Sequence, residues 1–582
     1  MHRPRLALAS ALCLLASATV SLAGARAASA APPSGSPLAK DVMALPGQIV
    51  VDFKDDTSDD DIRRIGDGFG ITFAPNSELG VEDKIELAKV SPTDEARLLA
   101  RLAADPHVEH AEPLGIVRSS FVPNDPMYKD QWHLTRIGGE SAWEYACGQG
   151  VSVAVIDTGV ACYDAPPYSR GTDLVGTRCE GGYNFIDDNT SAYDDEGHGT
   201  HVAGTIAQTT DNGKGVAGVA FCARVMPVKV LNGYGWGSTA DVAEGIRWAA
   251  DHGAQVINLS LGSPSPSAMM KDAVQHALDK GVVVVAAAGN EGEDDSVGYP
   301  AAYPGVIAVS ATDAKDELAW FSSRGPQVAI AAPGVKITQQ TICDGGQNAC
   351  EIFGVFNGTS MASPHVAGAA AMLVGLGVSD PPAVRAILQR TAIAKGDHDD
   401  YGAGILDAAA AAKHVWYGHL ALRLALLSAF AFLVGRRIRK LGGAMARTRG
   451  MVFGALLAGI GLLPIAPLLG LAARAGKLRP LVELLARPFG EWDLVFSAGL
   501  HRWLPLANVL PTLLLTGLFF GSKRLRPFVG GFALGTAAFL AQLGWSAEVA
   551  TALGSTALRL FMIGNVLVAL WIARLALDRK ES

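Results

Sequence analysis

Three stretches near the C-terminus carry no charged side chain: 450–473, 503–522 and 527–547. Each is long enough, as a helix, to cross a hydrocarbon core of about 30 Å. No other feature limits the fold so tightly, because backbone in lipid must satisfy its own hydrogen bonds and a helix does so within one segment. Two weaker candidates flank them. The stretch 414–435 contains Arg423, and 555–577 contains Arg559 and Arg574, each near enough to an end for its side chain to snorkel toward the interface. Residues 414–582 thus predict an all-α transmembrane domain of about five helices.

Charge divides the chain in the same place. Lys and Arg against Asp and Glu number 12 and 17 over 1–120, 17 and 33 over 121–413, and 19 and 6 over 414–582, so the net charge of -8 hides segments at -5, -16 and +13. With a mean hydropathy of +0.24 and apolar residues in long blocks, general disorder is excluded. If the acidic segment is exported, the loop after the first span must be basic, and it holds Arg436, Arg437, Arg439, Lys440, Arg447 and Arg449. Five spans put Lys523, Arg524, Arg526, Arg579 and Lys580 on that same cytoplasmic side. The loop 474–502 fits less well. It carries Arg474, Lys477, Arg479, Arg487 and Arg502 against Glu483, Glu491 and Asp493, and reads as an interfacial or re-entrant piece.

The N-terminus supports export. Residues 1–30 run from Arg3 and Arg5 through an apolar stretch to Ala28-Ser29-Ala30, the plan of a secretory signal peptide. Beyond Cys13, the cysteines Cys147, Cys162, Cys179, Cys222, Cys343 and Cys350 all fall within 121–413. An even set in an exported domain reads as disulfides. The expected pairs are Cys343 with Cys350 across a Gly-containing loop, Cys162 with Cys179, and, by elimination, Cys147 with Cys222.

Between these ends lie two folded segments. Residues 46–117 alternate an amphipathic strand (GQIVVDF), a helix (SDDDIRRIGDGFG), a strand (KIELAKV) and a helix (DEARLLARLAADP) before VEHAEP, a small α+β unit. From Gly150 the chain alternates runs apolar on both faces, VSVAVID, ARVMPVKVL, AQVINLSL, GVVVVAAAG and VIAVSA, with helix-period segments such as STADVAEGIRWAADHG. This predicts an α/β domain, a parallel sheet flanked by helices. Sites in such folds lie at the carboxyl ends of the strands, where Asp157, Ser260 and Asn290 are found.

Three stretches carry chemistry: VAVIDTGV (153–160), DDEGHGTHVAGT (194–205) and FNGTSMASPHVAG (356–368). A serine hydroxyl is a weak nucleophile until a base takes its proton, and an imidazole base needs a carboxylate to hold its tautomer and stabilise its cation. Taken singly, Asp157 reads equally as a cap or turn residue, His198 and His201 as hydrogen-bonded core groups, and Ser360 as a cap. Taken together and in this order, the three stretches resemble the subtilisin-like serine proteases, over about residues 124–406. The resemblance implies Asp157, His198 and Ser360 as catalytic triad and Asn290 as oxyanion donor beside the Ser360 backbone N–H. His201 and His365 are then structural.

The same resemblance implies that Ser260-Leu261-Gly262 and Gly235-Trp236-Gly237 hold an extended peptide as an added strand, and that Gly298 leaves the S1 pocket open for a large residue. Glu291, Glu293, Asp294 and Asp295 crowd that loop, either as a solvated acidic surface or as a preference for Lys or Arg near P1. Asp125, Asp173 and Asn212 match ligands of a structural calcium site, although Lys214 stands where some relatives carry a ligand. No cofactor is expected for the chemistry itself. Residues 31–120 resemble the family's inhibitory propeptide, with self-cleavage expected between about Arg118 and Asn124.

The expectation is thus a signal (1–30), a propeptide (31–120), a subtilisin-like catalytic domain (121–413) and a membrane anchor (414–582). The enzyme would be a serine endopeptidase at the outer face of the cytoplasmic membrane, multi-pass, acting on polypeptides and not on nucleic acid, its oligomeric state left open. Two alternatives differ in role. One is a narrow processing or scaffold protease similar to the mycosins, which have a single C-terminal span. The other is a channel or transporter regulated by the protease, with Asn508 and Asn565 as its strongest polar candidates within the spans.

Overall fold

The computed structural model describes residues 44–77, 80–115, 121–344, 353–497, 521–546 and 555–579, with positions 515, 517–519 and 548–549 between. The expected signal peptide, Cys350 and most of the span at 503–522 lie outside the described residues.

Residues 44–115 form a unit of their own. Its four-stranded antiparallel sheet runs in the order Phe73–Pro75, Ile85–Lys89, Ala44–Phe53, Val108–Gly115. Alternation in the first strand sends Ile49, Val51 and Phe53 inward, where they meet Ile62, Leu98 and Leu102 from the two helices. The helix Asp59–Phe69 starts where the Ser58 hydroxyl accepts the Asp61 amide and stops at Gly70, whose φ of 69° suits glycine.

The second unit is built on a parallel sheet. From one edge its strands run Val328–Pro333, Ile307–Thr312, Val283–Ala287, Val256–Leu259, Ser152–Asp157, Arg224–Lys229 and Arg178–Cys179, with Tyr183–Asn184 also paired to Arg224–Lys229. Apart from Arg224, both faces of the first six of these strands are buried, which is why they read as largely apolar runs. Val153 and Val155 point to one layer, with the helices His198–Ala207 and Thr359–Gly375. Ala154 and Ile156 point to the other, with Thr239–Asp251 and Ala268–Asp279. Cys147 is bonded to Cys222, and Cys162 to Cys179.

The C-terminal region is helical and departs from the expected spans. Among the described residues, three helices are long and apolar enough to cross a membrane: Ala408–Lys440, Lys523–Ser546 and Thr556–Leu577. The run 450–473 is not one of them. Its helix, Arg449–Gly459, ends before Gly461 at φ 89°, and Pro464 and Pro467 bar its continuation. Close packing of this short helix on Arg526–Ser546 needs glycine: a Cβ at Gly531 would lie 1.9 Å from the Met451 carbonyl oxygen, and one at Gly535 2.5 Å from that of Ala455.

Arg423 also differs from expectation. It does not snorkel; it is 4% exposed, and its guanidinium donates to Gln542 Oε1 at 2.9 and 2.7 Å and pairs with Glu491. The segment 474–497 supplies Glu491 and folds into short helical turns, so a partner far away in sequence removes the need to reach for water.

Candidate active site

Asp157 is the last residue of the central strand Ser152–Asp157 and is fully buried. One of its oxygens, Oδ1, accepts the Thr158 amide at 2.8 Å and lies 2.8 Å from His198 Nδ1. His198 is the first residue of its helix, after Gly197 at φ 108°. Burial pushes the imidazole toward its neutral form, but the Asp157 charge and hydrogen bond outweigh it and raise the pKa to about 9.

The start of that helix is held by a residue the sequence reading passed over. Asp194, 1% exposed, accepts the Gly197 amide (2.9 Å), the Thr200 amide (2.9 Å) and the hydroxyls of Thr158 (2.9 Å) and Thr200 (2.6 Å). Thr158 Oγ1 in turn accepts the Gly199 amide at 2.9 Å. Asp194 thereby ties the strand end that carries Asp157 to the helix start that carries His198. An acidic residue four positions before the first residue of a helix is its only sequence signal. Lys229 was passed over as well. It is buried at the end of the adjacent strand and donates to the Thr158 carbonyl (2.6 Å) and to Asp195 (2.6 Å).

Ser360 is the second residue of the helix Thr359–Gly375. Its hydroxyl donates to the Ser260 carbonyl at 3.2 Å, and the Ser260 hydroxyl donates to the Ser360 carbonyl at 2.8 Å. Behind them Asn258 donates to Ser260 Oγ (3.0 Å) and accepts from Ser363 (2.8 Å). A buried asparagine between Ile257 and Leu259 demands such partners, and it locks the helix Thr359–Gly375 to the strand Val256–Leu259.

The carbonyl oxygen of Asn290 accepts the Thr359 amide (2.9 Å) and hydroxyl (3.0 Å), which turns its NH2 group the other way. A Cβ placed on Gly358 would lie 3.7 Å from Asn290 Nδ2 and 3.6 Å from the Ser360 amide nitrogen. Glycine at 358 therefore leaves open the space between two N–H donors, where an oxyanion can be received.

The two candidate peptide-binding edges follow the strands on either side of Asp157. In one, a tight turn at Gly235 leaves Trp236 76% exposed. In the other, Ser263 and Tyr299 exchange two backbone hydrogen bonds of 2.8 Å beyond Ser260-Leu261-Gly262. Beside them a Cβ at Gly298 would meet the Ser263 carbonyl at 3.2 Å, so a side chain there would crowd this edge. The acidic loop is partly paired: Glu291 accepts from Ser323, and Asp294 meets Arg324 at 3.3 Å.

His201 and His365 belong to the core. His201 lies 3.0 Å from the Ile337 carbonyl and stacks on Phe356, and burial lowers its pKa to about 3. His365 sits 2.7 Å from His133 and is lowered by burial to about 4.

Asp125, Asp173 and Asn212 are brought together. Asp125 accepts the amides of Asp211 (2.8 Å) and Asn212 (3.1 Å), and Asp173 accepts Asn212 Nδ2 at 2.7 Å. Both carboxylates are buried, and among the described residues neither forms a salt bridge. Burial and the neighbouring Asp125 charge raise the Asp173 pKa. Oxygen donors that share buried negative charge fit a hard cation.

The subtilase family model matches residues 148–407. The chain is 38% identical over 348 residues to the thermophilic serine proteinase of Bacillus sp. (strain AK1), covering 60% of this chain and 82% of that protein. The chain belongs to the subtilase family. This subtilase is also 43% identical over 284 residues to subtilisin Savinase of Lederbergia lenta, covering 48% of this chain and 98% of that one. The solved structure of fervidolysin from Fervidobacterium pennivorans aligns with it at a TM-score of 0.45 and 29% identity, over 64% of this chain and 61% of that one. Like its relatives, this subtilase is a serine endopeptidase.

Proposed function

We propose that this subtilase is made as a secreted precursor and works as a membrane-held endopeptidase through Asp157, His198 and Ser360. The observation that carries the mechanism is the 2.8 Å contact of His198 Nδ1 with Asp157. It leaves the other ring nitrogen as the base for a serine at a helix start. His198 takes the Ser360 Oγ proton as the oxygen attacks the scissile carbonyl carbon. The oxyanion accepts hydrogen bonds from Asn290 Nδ2 and the Ser360 amide. Collapse breaks the C–N bond, His198 protonates the leaving amine, and water, deprotonated by His198, then hydrolyses the acyl-Ser360 ester. Ser360→Ala in the full chain abolishes casein hydrolysis and labelling by a fluorophosphonate; residual turnover above about 1% of wild type contradicts the assignment.

Residues 31–120 act as the propeptide, a reading supported by a folded α+β unit ahead of the enzyme. N-terminal sequencing of the active protein gives a start between Arg118 and Asn124, and the Ser360→Ala chain retains the segment if processing is autocatalytic. The three long apolar helices support integral attachment, which resistance to alkaline carbonate extraction tests. Asp125, Asp173 and Asn212 hold a structural calcium ion that takes no part in the chemistry. Chelation lowers Tm, and added calcium restores it, while an Asp173→Asn chain shows a diminished calcium response.

A further inference from the structure

The C-terminal region does not hang from the catalytic domain by a linker. Ala408–Lys440 is one uninterrupted helix. Its first turns, with Ala411, Ala412 and Val415, are buried in the same core as the nucleophile helix, and its later turns carry Arg423 into the C-terminal bundle.

The segment 474–497 makes a second attachment. Arg479 donates to the Trp143 carbonyl at 2.7 Å, Arg487 to the Gly375 carbonyl at 2.6 Å, and Gln149 to the Val495 carbonyl at 2.9 Å. Leu494 from this segment is buried in the catalytic core. Both arginines are less than one-tenth exposed, so these are not solvated surface contacts, and losing either would strand buried polar groups.

The attachment points share one face. Gln149 precedes the central strand Ser152–Asp157, and Gly375 is the last residue of the nucleophile helix. Asp157 and Ser360 lie at the opposite ends of those same elements. The helix has 17 residues, about 25 Å at 1.5 Å per residue; the strand has 6, about 20 Å. Nucleophile and cleft therefore stand roughly 20–25 Å from the face on which the C-terminal helices are fixed.

We infer that the active cleft opens away from the bilayer and that the substrates are soluble polypeptides or segments held well clear of the membrane, not bonds close to a membrane span. This rests on the endopeptidase and membrane readings above.

The test uses the full chain reconstituted in liposomes with single-span substrates that carry one cleavable sequence on flexible spacers of about 5 or 40 residues, whose mean reach is roughly 12 and 35 Å. The same sequence is supplied as a soluble peptide. The expected result is efficient cleavage of the soluble peptide and of the long-spacer substrate, with at least tenfold slower cleavage of the short-spacer one. Short- and long-spacer substrates cut within twofold of each other, with the soluble peptide also cut, overturn the inference and leave the endopeptidase reading intact. Failure to cut even the soluble peptide overturns both.

Discussion

At the scale of residues, the proposed mechanism depends on two donors and one base whose states can be read out. Asn290 keeps its amide nitrogen toward Gly358 only because Thr359 occupies its oxygen. Asn290→Ala therefore lowers kcat by about 100- to 1000-fold, the loss known for this donor in subtilisin itself, with KM little changed; an equal fall in affinity would place Asn290 in substrate binding. The His198 pKa is raised to about 9 by Asp157 against the opposing effect of burial. Only the neutral ring accepts the serine proton, so acid removes activity: kcat/KM climbs with unit slope on the acid side toward an alkaline plateau. A midpoint at or below the ordinary histidine value would contradict the raised pKa. The three motifs were readable only together and in order: the chemistry restricts which side chains can serve, but each residue alone reads equally as a cap or a core group. Asp194 was not readable in that way, since its role comes from the donors gathered around it.

At the scale of elements, catalytic geometry is a matter of where strands end and helices begin. Asp157 closes a strand, His198 and Ser360 open helices, and Asp194 links the first two of these ends. Asp194→Ala leaves several buried donors unpaired and is expected to cost about 3 kcal/mol, roughly 3–5 °C in Tm. It should also lower kcat by loosening His198; a variant that keeps wild-type Tm would show that the gathered hydrogen bonds carry little energy. The apolar strand runs announced the parallel sheet, because burial on both faces leaves no polar alternation to hide the signal. Apolarity misled for 450–473. It measures compatibility with lipid but not helical continuity, which Gly461, Pro464 and Pro467 interrupt.

At the scale of the whole molecule, the catalytic domain and the C-terminal helices share buried structure. Cutting the chain after residue 413 removes Val415 and Leu494 from the catalytic core and leaves the Trp143 and Gly375 carbonyls without their arginines. The fragment 121–413 is therefore expected to melt several degrees below the full chain in detergent while keeping its pH profile; equal Tm values would mean the helices are merely appended. The division into charge segments was written in the sequence, as were the strand runs, the order of the motifs and the presence of apolar helices, because composition and short-range periodicity are local properties. Tertiary structure alone decided which buried carboxylate clamps the start of the His198 helix, why Arg423 stays inside, and which distant carbonyls Arg479 and Arg487 reach. Each of these depends on groups separated by tens to hundreds of residues, and a buried polar atom finds its partner in space, not in the sequence around it.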